Sequence, residues 1–128
     1  MSVATILENA AQRLVTLPNA PPVAWPGVDF TPPSEDFWLE LAIFPNEPQT
    51  VTMNADGLQI ERGFVQVLAV TRPGAGIVSA IMLAERVSDH FPKALPLGPV
   101  RVRAIPWIGP PVVEPDRILV PVTISYKT

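Results

Sequence analysis

Residues 64–91 read FVQVLAVTRPGAGIVSAIMLAERVSDHF, and the period of their apolar positions changes halfway along. The first eight residues, 64–71, are rich in β-branched side chains and read as a strand. Arg72-Pro73-Gly74-Ala75-Gly76 ends it, since proline removes a ladder donor and glycine permits turning backbone. Ile77, Ala80, Ile81, Ala84, Val87 and Phe91 then form a stripe about 120° wide on a helix that Pro92 terminates. Such a stripe needs an apolar surface to cover it, and a neighbouring sheet is the economical source.

Upstream, Asn54-Ala55-Asp56-Gly57 is a strong turn signal, followed by strand-like residues 58–61, with Gly63 expected to mark a bulge or break before residues 64–71. A further strand is expected around residues 49–53. Phe37, Leu39, Leu41 and Ile43 alternate with Trp38, Glu40, Ala42 and Phe44, a period of two that predicts a strand ended by Pro45. Residues 18–33 hold six prolines around Trp25, Gly27 and Phe30, which predicts an extended or turning connector with aromatic anchors. Before it, Val3, Ile6, Leu7, Ala10, Leu14 and Leu17 share one side of a helix, with Ser2 as a candidate N-cap and Pro18 as the stop.

Downstream, Pro96-Leu97-Gly98-Pro99 predicts a turn. Residues 100–105 alternate apolar side chains with Arg101 and Arg103, and Ile118, Val120, Val122, Ile124 and Tyr126 alternate to the end. Both read as half-exposed antiparallel strands, and Pro121 marks the last one as an edge or a bulged strand. The expected architecture is one α+β domain spanning residues 1–128: a single sheet, antiparallel with room for a mixed pairing, and two α-helices packed on one face.

Composition narrows the chemistry. The chain of 128 residues has 17 prolines, one histidine and no cysteine, which removes disulfides, cysteine-based metal sites and most raw material for proton transfer. A net charge of −3 gives no long-range attraction to phosphate backbones or anionic lipid, so neither nucleic acid nor membrane is an expected partner. Only 16% of residues are charged, against about 25% in typical proteins, so uncharged groups must cover part of the surface. No signal-like or spanning segment is evident, and the expectation is a soluble, unexported protein.

Candidate catalytic groupings fail on geometry. Asp89 and His90 are neighbours on a helix and point about 100° apart, which leaves His90 as a solvated residue suited to a helix C-terminus. Glu35 and Asp36 sit beside Pro32 and Pro33 in an expected loop, where adjacent acids serve as solubilising charge. The glycines before the second helix lack the Lys-Ser/Thr of a phosphate loop and the third glycine of a dinucleotide fingerprint. No catalytic, cofactor or metal residue is assigned.

The candidate interface is Arg101, Arg103, Trp107, Ile108, Pro110 and Pro111. Two residues apart on one strand, Arg101 and Arg103 share a face and make a small basic surface for carboxylates or phosphates, or else a solvated sheet face. Residues 106–113 are unusually apolar for a strand connection and are either a buried hairpin end or a recognition loop, where tryptophan and proline give contact area at low entropic cost.

Several stretches in order carry a resemblance. They are the amphipathic start, Trp25-Pro26-Gly27-Val28-Asp29-Phe30-Thr31-Pro32-Pro33, Phe37-Trp38-Leu39-Glu40-Leu41, Arg62-Gly63-Phe64-Val65-Gln66-Val67, the helix from Gly76 to Phe91, and Val122-Thr123-Ile124-Ser125-Tyr126. Together they resemble the tail terminator (tail completion) proteins of long-tailed, lambda-type phages and prophages. The resemblance implies an α+β subunit, made in the bacterial host cytoplasm, that joins the virion tail as a ring, typically a hexamer. It implies contacts with the tail tube protein and head-completion proteins, and no covalent chemistry. Another neck or tail-completion subunit, a monomeric binding module, or a small enzyme with a pocket between helices and sheet remain the alternatives.

Overall fold

A computed structural model describes residues 3–19, 21–28, 37–45, 49–50, 59–60, 62–74 and 76–128. The elements in chain order are α1 (Val3–Val15), β1 (Val23–Ala24), β2 (Phe37–Pro45), β3 (Gln49–Thr50), β4 (Gln59–Ile60), β5 (Arg62–Thr71), α2 (Ile77–His90), β6 (Pro96–Leu97), β7 (Val100–Val102), β8 (Trp107–Ile108), β9 (Val112–Val113) and β10 (Ile118–Lys127). Ser2, Glu35, Asp36 and the turn at residues 54–57, each given a role by the sequence, lie outside the described residues.

The main sheet runs β1-β2-β5-β10-β7-β6, with β8 and β9 also on β10, while β3 and β4 pair as a separate ribbon. Every pairing in the main sheet is antiparallel except β1 on β2, so the sheet is mixed. The parallel addition comes from the proline connector: Leu39 donates its N–H to the Pro22 carbonyl at 2.9 Å, and Pro21 and Pro22 cost no ladder bond at a sheet edge.

Period-two alternation sets the core face. Leu39 and Leu41, Val65, Val67 and Ala69, and Val120, Val122, Ile124 and Tyr126 are all buried on one side, where α1 and α2 cover them. From α1 and the turn after it come Ile6, Ala10, Leu14 and Leu17; from α2 and its end come Ala80, Leu83, Ala84, Val87 and Phe91. The buried stripe of α2 is therefore rotated from the expected one, because Leu83 enters the core while Ile77, in the first turn, stays 43% exposed. Each fully buried aliphatic side chain contributes roughly 1.5–3 kcal/mol.

Two expectations need correction. Gly63 lies within an unbroken ladder, opposite Pro45 on one side and Tyr126 on the other, so it is neither a bulge nor a break. It is a point of close approach, where an added Cβ would stand 2.7 Å from the Phe44 carbonyl oxygen and 2.7 Å from the Tyr126 hydroxyl. The strand carrying Pro121 is not an edge: β10 is central, with β5 on one flank and β7, β8 and β9 on the other. Pro121 accepts the Gly109 N–H at 2.9 Å. In an antiparallel strand the N–H and C=O of one residue point the same way, so the missing donor of Pro121 faces the gap between β8 and β9. Gly109 is needed there, since a Cβ would meet Pro121 Cγ at 2.9 Å.

Thr71 ends β5 fully buried, and among the described residues its hydroxyl has no hydrogen-bond partner. Thr71→Val keeps the shape and removes a desolvated polar group, so denaturant unfolding should show unchanged to higher stability, by up to about 1 kcal/mol.

Candidate interface

The expected strand at residues 100–105 stops at Val102, and the chain then follows β10 in pieces. Arg103 donates its N–H to the Ser125 carbonyl at 2.8 Å; Trp107 lies opposite Thr123, Ile108 opposite Val122, Val112 opposite Leu119 and Val113 opposite Ile118. Residues 106–113 thus form a broken outer strand and not a buried hairpin end. Its solvent side is apolar: Ile105 is 79%, Trp107 64%, Val113 69% and Val112 45% exposed. Pro110 is exposed and Pro111 half-buried, whereas Ile108 faces inward and packs on the main core.

Arg101 and Arg103 are both exposed at one end of this edge. The β6–β7 hairpin and the end of β10 bring Lys93 and Lys127 to the same shallow groove of about 280 Å³, and Arg101 stands directly opposite Lys127 in the ladder. Like charges in that position repel. Among the described residues none of these four cations has an ion-pair partner; Arg101 instead donates to the Ala94 carbonyl at 3.2 Å. Lys93 and Lys127 were not legible as members of this group, because the hairpin that gathers them is a tertiary feature.

A polar cleft of about 600 Å³ lies on the sheet face away from the helices. Its charged groups tie distant strands together. Glu40 Oε2 accepts from Trp38 Nε1 at 3.0 Å and from Arg117 Nη1 at 2.8 Å, while Arg117 Nε donates to Glu114 at 2.8 Å and the Arg72 guanidinium sits 5.6 Å from the Trp38 ring centroid. The Glu114 hydrogen bond, opposed by partial burial and helped by the charge of Glu40, pushes the Arg117 guanidinium further above its ordinary range. Trp38 in turn packs with Val70 and Leu119 in a small cluster on this face.

His90 is not simply solvated. Its Nε2–H donates to the Arg13 carbonyl at 2.9 Å and lies 2.7 Å from the Thr16 hydroxyl, while Arg13 Nε donates to the His90 carbonyl at 2.8 Å. This reciprocal clasp joins the last turns of α1 and α2. The adjoining cleft of about 250 Å³ also holds Asp89 and Arg86, and Arg86 is occupied by the Pro18 and Asn19 carbonyls. Desolvation, followed by the nearby Arg13 charge, holds the His90 imidazole below its ordinary pKa, against the opposing hydrogen bond to Arg13. With the folded value below the unfolded one, the unfolded chain binds more protons between the two, so stability falls as pH drops below about 6.5. Urea titrations between pH 7.5 and 5 should show a modest loss for the wild type and a flatter profile for His90→Gln.

The described residues thus make a main sheet backed by two helices, with an exposed apolar edge flanked by charge. The phage tail terminator protein family model matches residues 4–126. The chain belongs to this family and is a phage tail structural protein. A solved structure is similar over 99% of this chain and 95% of its own, with 30% identity and a TM-score of 0.76. No curated protein matches at a significant level.

Proposed function

We propose that this protein caps the end of a phage tail tube as a closed ring, typically a hexamer in this family, ends tube polymerisation and offers a surface to the head-completion proteins. The family match across residues 4–126 carries the reading. A ring of identical subunits needs two different complementary patches on each copy, and the exposed edge at residues 105–113 supplies one of them. The work is docking, with no covalent step, and it takes place in the bacterial host cytoplasm as tails are built. Cryo-electron microscopy of isolated tails carrying a tagged chain tests this: density for the tag is expected as one ring at a single tube end. Tag distributed along the tube, or absent from tails, would reject capping.

A further inference from the structure

A second exposed stripe runs down the outside of α2, opposite its buried side. Val78, Met82, Glu85 and Asp89 follow the spacing of one helix face, apolar in the first half and acidic in the second, with Val78 66% and Met82 60% exposed. We propose that this stripe on one subunit seats the edge segment at residues 101–113 of the next. The proposal rests on the ring reading above and names the two surfaces that close it.

The order of features matches. Along the edge, Arg101 and Arg103 are followed by Ile105, Trp107 and Val112; along the stripe, Asp89 and Glu85 are followed by Met82 and Val78. Arg101 lies opposite Lys127 and Val112 opposite Leu119, a span of roughly 26 Å along β10, of which Arg103 to Val112 takes roughly 20 Å. Asp89 to Val78 spans roughly 16 Å along α2, so Arg103 falls nearest the acidic end of the stripe and the long Arg101 side chain reaches it from beyond the end of the helix.

Each patch also holds a charge arrangement that is unfavourable in the isolated subunit. Arg101 faces Lys127 across the ladder. Glu85 and Asp89 are like charges one helical turn apart, Asp89 stands in the last turn where the helix dipole disfavours an anion, and among the described residues neither has an ion-pair partner. Bringing the two patches together relieves both. Three prolines, at 106, 110 and 111, strip amide donors from the edge and disfavour its direct pairing with another strand, which leaves a side-chain contact on a helix as the better fit. By register Arg101, Trp107 and Val112 share the face of Lys127, Thr123 and Leu119, away from the helices, while the stripe lies on the outer side of α2, so the patches face different directions, as head-to-tail association requires.

The test uses tails assembled with only the variant protein present. R101E/R103E and E85R/D89R should each reduce tail-bound protein about tenfold, and co-expression of the two should restore it, because each then finds an opposite charge on its neighbour. The chain has no native cysteine, so I105C/M82C treated with a short bismaleimide should give a ladder of covalent multimers, while each single variant stays monomeric. Normal incorporation of both charge variants, or a mixture no better than either alone, would overturn the pairing. So would tails of normal length bearing the double-cysteine variant without cross-links, or a dimer from I105C alone, which would mean edge-on-edge pairing. Those results leave capping intact, whereas absence of the wild-type chain from tail ends removes both readings.

Discussion

Phe91→Ala is expected to cost about 3–5 kcal/mol of stability in urea unfolding, a large share of the roughly 5–15 kcal/mol available to a domain. Phe91 is fully buried in the main core and caps the end of α2, where its N–H is donated to the Ser88 carbonyl at 3.1 Å. The His90 ring meets it edge-on, with centroids 6.1 Å apart. Truncation therefore opens a cavity beneath the clasp that holds α1 to α2, and both helices lose their anchor. Phe91→Leu, which fills most of the volume, should recover at least half of the loss. A Phe91→Ala protein as stable as the wild type would mean that the two helices do not depend on this packing.

Gly63→Ala is expected to cost about 2–3 kcal/mol, although an extended strand ordinarily accepts alanine without penalty. The added carbon would stand 2.7 Å from the Phe44 carbonyl oxygen and 2.8 Å from the Pro45 Cα. Both are backbone atoms of β2, so relief requires the strand pair to move apart. On its other side is the Tyr126 hydroxyl at 2.7 Å, on a side chain only 1% exposed. Gly74→Ala makes a useful contrast. Gly74 has open space around it but a φ of 100°, so the cost there is backbone strain of about 1 kcal/mol. Thermal unfolding of the two variants side by side should rank Gly63→Ala as clearly the more damaging; the reverse order would contradict the close approach of β2, β5 and β10.

The elements that periodicity can encode were legible. β2, β5, β10 and both helices follow from alternation or from helical spacing, because burial of one face leaves a repeating mark on the chain. β1 left none: two residues cannot show a period, and its parallel pairing depends on where the proline connector lies. Pro121 misled for a related reason. Whether a missing N–H matters is decided by what faces it, and here that is the gap at Gly109, Pro110 and Pro111, a tertiary fact. The tie from Glu40 to Arg117 joins residues 77 positions apart and leaves no local trace. At the candidate interface, the shared face of Arg101 and Arg103 was readable from their spacing. The recruitment of Lys93 and Lys127, and the inward turn of Ile108, depended on the β6–β7 hairpin and on the register of β8 against β10.

The claim that this chain stops a growing tube is tested most directly by the distribution of tail lengths in lysates of the phage with and without its gene. Capping predicts that loss of the gene gives tails longer than normal, or tails detached from heads, and that supplying the chain in trans restores uniform attached tails. Tails of ordinary length joined to heads in the absence of the gene would contradict it.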